Sequence, residues 1–319
     1  MKVRVIYFDG KFVPEPEAQV PLLTHALNYG TGVFEGIRAY HDQRTDEVSL
    51  FRAIDHFRRM ERNVKFLKLS LPGSPEDLVN IAAELIRRNE YATDVYVRPL
   101  AFKNATKVGV SLPEGDAFAM IAVPMGDYLD THKGLHCGVS SWRRLPDNSI
   151  PCRAKICGAY VNSALAAQEA RDRGFDEAIF LNEAGGVAEG SAMNIFIVRN
   201  GRLITPDVTQ GILEGITRDT VIMLADDQMS MATEQRPLDR AELYVADEVF
   251  LCGTAAQIAP VTRIDGREVG DGRPGRITLQ LQDAYERIVR AHPPGYHGWL
   301  SPAYGLAPHP GHKEIAAAV

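Results

Sequence analysis

The order of hydrophobic and polar positions along the 319-residue chain predicts both strands and helices. Residues 94–100 alternate between the two types, which is typical of a strand and places Tyr96 and Arg98 on one face. Apolar residues recur every three or four positions over residues 54–67, as on one face of a helix. Residues 74–89 read as a second helix that opens with a capping serine. The pattern therefore predicts a mixed α/β fold.

A stretch without periodicity divides the chain into two parts. Residues 125–134 mix glycine, tyrosine and charged side chains, and we interpret them as an interdomain linker. Residues 1–124 then form an N-terminal α/β domain. Residues 135–300 form a C-terminal domain with a strand meander, three helices and a strand predicted over residues 243–251. Residues 301–319 contain proline and glycine and are expected to be an irregular tail.

Composition narrows the classes of function. The chain is 45% hydrophobic and 24% charged, as is ordinary for a soluble globular protein. Its net charge of -6 argues against nonspecific binding of nucleic acid, which needs a basic surface. We expect no membrane span, because no run of about eighteen apolar residues occurs. The four cysteines form no Cys-x-x-Cys pair, so we expect reduced thiols in a cytoplasmic protein and no metal site.

Lys155 is the main candidate for covalent chemistry. It lies two residues after Arg153 and five before Tyr160, close to a predicted helix start. A neighbouring cation reduces the preference of a lysine for its protonated form. A neutral lysine amine can form a Schiff base with a carbonyl compound. A lysine of this kind is more often an ordinary surface residue, so the assignment depends on the rest of the chain.

Four other segments carry chemistry that suits pyridoxal phosphate. Glu189, flanked by small residues, could bind a protonated ring nitrogen. A glycine precedes Thr217 at a predicted helix start, where backbone N–H groups can bind an anion. The small-residue turn over residues 253–256 offers further backbone donors, and Arg52 could clamp a phosphate. Each segment alone also fits a turn, a cap or a surface side chain, but together they supply the parts of a cofactor site.

Seven ordered strings make the chain resemble the branched-chain amino acid aminotransferases, which are class IV aminotransferases of pyridoxal phosphate fold type IV. The strings cover residues 33–40, 96–100, 140–143, 153–155 with Tyr160, 188–190, 213–219 and 253–256. The resemblance extends from residue 3 to about residue 300. It implies two domains, a smaller N-terminal α/β sandwich and a larger C-terminal pseudo-barrel. It also implies a ping-pong transaminase that acts on L-leucine, L-isoleucine or L-valine and 2-oxoglutarate.

The resemblance also implies roles for individual residues. Lys155 would carry the Schiff base and move the proton, and Glu189 would pair with the ring nitrogen. The implied cofactor-binding residues are Arg52, Lys155, Tyr160, Glu189, Ile216, Thr217 and Thr254. The implied substrate-binding residues are Tyr29, Phe34, Gly36, Arg38, Tyr96, Arg98, Tyr128, Thr254 and Ala255. The expected partners are small-molecule amino acids and 2-oxo acids and a second copy of the chain, in a homodimer or a higher homo-oligomer, without nucleic acid or membrane.

One loop departs from the family pattern and leaves alternatives open. Lys103 and Lys107 make the loop after residue 102 more basic than in most members, and the family places this loop near the substrate entrance. Aromatic, methionine-like or primary-amine donors are therefore retained as hypotheses. A D-amino acid transaminase, an (R)-amine transaminase or an aminodeoxychorismate lyase would also keep Lys155 and Glu189. A noncatalytic binding protein with the same fold is a remote alternative.

Overall fold

The structure, a computed structural model, describes residues 3–126, 133–291 and 295–305. The strands are β1 (Val5–Phe8), β2 (Lys11–Pro14), β3 (Gly32–Phe34), β4 (Ile37–Asp42), β5 (Glu47–Phe51), β6 (Val95–Lys103), β7 (Asp116–Pro124), β8 (Leu135–Arg143), β9 (Glu177–Leu181), β10 (Val187–Gly190), β11 (Asn194–Arg199), β12 (Arg202–Thr205), β13 (Thr233–Gln235), β14 (Glu248–Gly253), β15 (Gln257–Ile264), β16 (Arg267–Glu268) and β17 (Leu300–Pro302). The α-helices are α1 (His25–Tyr29), α2 (Ala53–Asn63), α3 (Pro75–Asn89), α4 (Tyr160–Asp172), α5 (Ile216–Met229) and α6 (Arg276–Ala291).

The first sheet is antiparallel and contains eight of the described strands, in the order β17-β5-β4-β6-β7-β1-β2 with β3 paired to β6. Helices α2 and α3 supply much of its core. Phe57 and Met60 lie on the apolar stripe predicted for α2 and are fully buried. Helix α3 begins where the sequence predicted, because the Ser74 side chain accepts from the Asp77 N–H and Asp77 bonds the Ser74 N–H in return.

The second sheet contains nine of the described strands, in the order β10-β9-β8-β15-β14-β11-β12-β13 with β16 paired to β15. Strand β8 pairs in parallel with both β9 and β15. A parallel pair needs a crossover connection. The crossover from β8 to β9 contains α4, and Lys155 lies in the segment that leads into this helix. This segment bridges to β3 of the first sheet through Val33 and Ile156, so the crossover carries Lys155 between the two sheets.

Aromatic side chains connect the two halves of the chain. Tyr40 and Phe51 of the first sheet pack in one cluster with Phe196 and Phe250 of the second. The Phe196 and Phe250 rings are stacked with centroids 4.9 Å apart. Helices α5 and α6 cover the same cluster. Burial of this many large apolar side chains fixes one sheet against the other.

The strand predicted over residues 243–251 begins later than expected. Arg240–Tyr244 forms a 3-10 helix, and β14 starts at Glu248. The Glu242 carboxylate accepts from the Asp239 N–H and so holds the first turn of this helix. Leu243 is buried although it lies in this 3-10 helix, so an apolar residue at this position did not indicate a strand.

The C-terminal segment also differs from expectation. Strand β17 pairs with β5, so residues 301 and 302, which the sequence placed in an irregular tail, belong to the first sheet. Residues 306–319 of that predicted tail, and residues 127–132 of the predicted linker, lie outside the described residues. Within the described ranges, no helix is long and apolar enough to cross a membrane.

Candidate active site

A cavity of about 560 Å³ is lined by residues of both sheets. Strands β3 and β6 contribute from the first sheet, and strands β10, β11 and the turn after β14 contribute from the second. The predicted site residues on its walls are Phe34, Gly36, Tyr96, Arg98, Lys155, Tyr160, Glu189, Ile216, Thr217, Thr254 and Ala255. The fold therefore gathers most of the predicted residues into one space.

Lys155 reaches the cavity beside two aromatic rings. Its Nζ donates to Tyr160 Oη at 2.6 Å and lies 4.9 Å from the centroid of the Phe34 ring. The Lys155 carbonyl accepts from the Phe34 N–H at 3.1 Å, which ties the lysine segment to β3. Arg153, expected beside this amine, instead donates to Asp147 and Glu214 with a half-exposed side chain. The environment of Lys155 is therefore built from aromatic and hydroxyl groups.

Glu189 is held through both carboxylate oxygens and is only 4% exposed. Its Oε1 lies 2.8 Å from Arg144 Nη2. Its Oε2 accepts from the Leu213 N–H at 3.0 Å and from Asn194 Nδ2 at 3.1 Å. Burial raises the pKa of Glu189, and the Arg144 cation and the Leu213 N–H oppose that rise. Sequence reasoning missed Arg144, which directly follows one of the matched strings.

The N-terminus of α5 forms another wall of the cavity. Ile216 and Thr217 occupy its first turn, and Gly215 is the N-cap. A Cβ atom at Gly215 would overlap Asn194 Oδ1, so this close approach requires glycine. The first backbone N–H groups of a helix have no partner within it and carry positive dipole charge. This end of the cavity can therefore receive an anion.

Arg52 is not among the residues that line the cavity. Its guanidinium donates to Asp55 at 2.7 Å, to Asp219 at 2.8 Å and to Thr220 at 3.0 Å. Arg59, seven residues further on, lines the cavity instead. Its Nη1 donates to the Glu214 carbonyl at 2.8 Å, which places it beside the start of α5. The structure thus brings Arg59 to the location expected for Arg52.

A buried carboxylate and imidazole orient Arg59. Glu35 accepts from Arg59 Nε and from Nη2, both at 2.7 Å, and pairs with His56 Nδ1 at 2.8 Å. Burial by itself would raise the pKa of Glu35, but Arg59 and His56 outweigh burial and hold that pKa well below its usual range. Burial lowers the pKa of His56. Because a guanidinium has five N–H donors, those not used by Glu35 and Glu214 remain for a ligand.

Tyr96, Arg98 and Phe34 form one group on the cavity wall. Arg98 Nη2 donates to Tyr96 Oη at 2.9 Å, and the Arg98 guanidinium lies 4.5 Å from the centroid of the Phe34 ring. A Cβ atom at Gly36 would overlap Tyr96 Oη, so a side chain at position 36 would displace the tyrosine. This group combines a cation and a hydroxyl with apolar surface, and Tyr96 and Arg98 share one face of β6, as the alternation predicted.

Two predicted substrate residues, Arg38 and Tyr29, are not among the residues that line the cavity. Arg38 is buried behind it and donates to the Ala255 carbonyl at 3.1 Å, so it contacts the turn rather than the cavity. Tyr29 is exposed, and its hydroxyl accepts from the Gly109 N–H at 3.0 Å. Tyr128 lies outside the described residues.

Lys103 does not face a substrate entrance. It is 4% exposed, and its Nζ donates to Asp116 at 2.7 Å and to the Lys68 carbonyl at 2.8 Å. The pair ties the end of β6 to the start of β7. Lys107 is exposed. One of the two lysines that make this loop basic therefore has a structural role, because Lys103 is buried and paired with Asp116.

A lysine amine, a buried carboxylate and a helix start that can receive an anion are gathered between the two sheets. The chain belongs to the amino-transferase class IV family, whose family model matches residues 32–264. The predicted family is thereby confirmed.

Relatives and solved structures agree with this family. The chain is 48% identical over 302 residues to the "Probable branched-chain-amino-acid aminotransferase" of Aquifex aeolicus, covering 93% of this chain and 96% of the relative. It is 39% identical over 304 residues to the branched-chain-amino-acid aminotransferase of Escherichia coli K12, covering 94% and 97%.

The branched-chain aminotransferase of Thermoproteus uzoniensis, solved with norvaline, superposes with a TM-score of 0.91 at 43% identity, covering 95% of this chain and 100% of that chain. The branched-chain amino acid aminotransferase of Thermobaculum terrenum, solved in its PLP form, superposes with a TM-score of 0.88 at 39% identity, covering 94% and 98%. The predicted fold class is confirmed by these neighbours.

Proposed function

We propose that this protein is a branched-chain-amino-acid aminotransferase that exchanges amino groups between L-leucine, L-isoleucine or L-valine and 2-oxoglutarate. One observation carries the proposal: Lys155 Nζ, Glu189 and the N-terminus of α5 line one cavity in a chain of this family. Solved neighbours hold norvaline, a phosphopyridoxyl glutamate and 4-methylvaleric acid, which are aliphatic or glutamate-based ligands.

The residues present fit pyridoxal phosphate. The amine of Lys155, the carboxylate of Glu189 and the anion site at Thr217 match its aldehyde, ring nitrogen and phosphate. When bound, this cofactor supplies a carbonyl that takes up amino groups and a ring that withdraws electrons from the substrate Cα. We assign the phenolic oxygen of the cofactor to the Tyr160 hydroxyl, a proposal supported by the bond between this hydroxyl and Lys155 Nζ.

We assign the phosphate to Arg59 in place of Arg52. Arg59 lines the cavity beside the α5 start, whereas the Arg52 guanidinium is engaged with Asp55 and Asp219. Ile216, Thr217 and Thr254 complete the proposed phosphate site. A guanidinium with a fixed orientation is suited to a phosphate because it offers parallel N–H donors.

Lys155 is the proposed acid and base of the reaction. Its amine can take a proton from the substrate Cα and release it again when the neighbouring Tyr160 hydroxyl and the aromatic walls hold it in place.

The group of Phe34, Tyr96 and Arg98 is the proposed substrate pocket. We assign the substrate α-carboxylate to Tyr96 and the backbone of Thr254 and Ala255, which line the cavity. Arg98, which donates to Tyr96 Oη, is the proposed cation of this pocket. Phe34 supplies apolar surface for a branched side chain. A pocket with both properties can accept leucine in one half-reaction and the second carboxylate of 2-oxoglutarate in the other.

A donor panel tests this proposal against other enzymes that keep Lys155 and Glu189. Purified protein with added pyridoxal phosphate is incubated with 2-oxoglutarate and L-leucine, D-alanine or (R)-1-phenylethylamine, and glutamate is measured. We expect glutamate from L-leucine. Preference for D-alanine or for the amine would replace the proposal with the corresponding transaminase, and release of pyruvate from aminodeoxychorismate would indicate a lyase. Absence of cofactor binding would indicate a noncatalytic protein.

We also propose a cytoplasmic homodimer. Two neighbouring segments display exposed apolar side chains, namely Leu22, Leu23, Leu27, Val108 and Val110. His25 Nε2 pairs with the Gly109 carbonyl at 2.9 Å and holds the segments together. An apolar face of this kind is suited to a second copy. Sedimentation equilibrium should show a dimer that Val110→Glu weakens. Leu279→Glu, on the exposed side of α6, is the matched control.

The domain division is a further proposal. Each sheet has its own hydrophobic cluster, one from residues of the first sheet with α2 and α3 and one within the second sheet. These two clusters support domains over residues 1–124 and 135–300, joined by residues 125–134, and the cluster of Tyr40, Phe51, Phe196 and Phe250 packs the two together. Limited proteolysis should cut first within the linker, and first cuts within either sheet would contradict the division.

A further inference from the structure

Arg144 is a buried cation at the wall of the cavity. It follows β8, is 7% exposed and lies with its guanidinium 5.7 Å from the centroid of the Phe180 ring. Its Nη2 lies 2.8 Å from Glu189 Oε1. Its Nε is buried and bonds no group in the described part of the chain. Burial of a guanidinium is unfavourable unless it is paired, so the ion pair with Glu189 accounts for its position.

The partner of Arg144 is under opposing influences. Burial favours the protonated, neutral form of the Glu189 carboxyl. The Arg144 cation and the donors at Leu213 and Asn194 favour the ionised form. Of the three donors to Glu189, Arg144 is the one that carries a charge. Its stabilisation of the ionised carboxylate therefore depends on that charge as well as on hydrogen-bond geometry.

We propose that Arg144 is a positioning residue that keeps Glu189 ionised and so holds a proton on the ring nitrogen of the bound cofactor. The inference rests on the proposed function, because it requires pyridoxal phosphate in the cavity.

A single proton is shared between Glu189 and the ring nitrogen when the two are paired. Arg144 touches the carboxylate directly, so it opposes a proton on Glu189 more strongly than a proton on a ring atom beyond Glu189. Without the cation, the proton moves from the ring nitrogen to a Glu189 oxygen, and no other bond changes. The ring then withdraws electrons less strongly.

The test compares Arg144→Gln, which keeps a hydrogen-bond donor but removes the charge, with Arg144→Lys, which keeps a cation. Arg143→Gln, at the exposed last residue of β8, is the matched control. Each holoenzyme is reconstituted with ¹⁵N-labelled pyridoxal phosphate, and the ring ¹⁵N shift and the cofactor Kd are measured across neutral pH. Thermal unfolding checks that each variant is folded.

We expect the wild type, Arg143→Gln and Arg144→Lys to give the ¹⁵N shift of a protonated pyridine. Arg144→Gln should move toward the unprotonated value and bind cofactor about tenfold more weakly, because a hydrogen bond between two neutral groups replaces the charge-assisted bond between Glu189 and the ring nitrogen. If Arg144→Gln and Arg144→Lys give the same shift, the role is one of packing and the proposal is refuted. Failure of the wild type to bind pyridoxal phosphate would instead refute the proposed function.

Discussion

Replacement of Glu35 by glutamine should destabilise the protein strongly, although the two side chains have the same size. Glu35 is fully buried and accepts from Arg59 Nε and Nη2 at 2.7 Å and from His56 at 2.8 Å. Glutamine removes the negative charge and turns one acceptor into a donor that faces other donors. Arg59 is then a buried cation without its anion. Removal of one partner of such a pair costs about 3 to 5 kcal/mol.

Urea unfolding of the apoenzyme at neutral pH measures this loss directly. Glu61→Gln is the control, because Glu61 is an exposed carboxylate on α2, the helix that carries Arg59 and His56, and its loss should change stability by less than about 0.5 kcal/mol. The double variant Glu35→Gln with Arg59→Met should recover part of the loss, since it leaves no unpaired buried charge. A loss below about 1 kcal/mol in Glu35→Gln alone would refute the reasoning.

The contacts of Glu35 with Arg59 and His56 also make the stability of the protein depend on pH. Arg59 and His56 overcome the effect of burial and hold the pKa of Glu35 well below its usual range, so its folded value is lower than its unfolded value. The stability from this group is therefore fully present above the ordinary glutamate pKa and is lost as pH falls toward the folded value. The stability of Glu35→Gln should fall less steeply with acid than that of the wild type, and parallel curves would contradict this.

Three further variants test separate parts of the site. Lys155→Ala should retain cofactor affinity through the phosphate contacts, but borohydride treatment should leave no cofactor covalently bound. Gly36→Ala should raise KM for L-leucine by about tenfold, or about 1.4 kcal/mol, because its Cβ would displace Tyr96 Oη. Lys103→Met should lower the free energy of unfolding by about 1 to 3 kcal/mol through loss of the Asp116 pair, without changing the preference among amino donors.

For each of these three predictions, one result would contradict the reasoning. Covalent cofactor on Lys155→Ala after reduction would place the reactive amine elsewhere. An unchanged KM in Gly36→Ala would mean that Tyr96 does not hold the substrate. A change of donor preference in Lys103→Met would restore this lysine to the substrate entrance.

Local rules predicted some features of the chain correctly. Ser74 starts α3 because a serine followed by acidic residues satisfies the first N–H groups of a helix within a few positions. Tyr96 and Arg98 share one face of β6 because alternate side chains of a strand point the same way. The segment over 243–251 was predicted less well, because a short helix held by Glu242 competes with an apolar pattern that fits either structure.

The sequence by itself determined which chemical groups are available: an amine at Lys155, a carboxylate at Glu189 and a helix start at Thr217. Tertiary structure decided which charged groups accompany them. Arg52 and Arg59 lie seven residues apart. The packing of α2 pairs Arg52 with Asp55 and Asp219, whereas Arg59 lines the cavity. A side chain's chemistry is local, but its partners depend on how two sheets built from distant residues pack together.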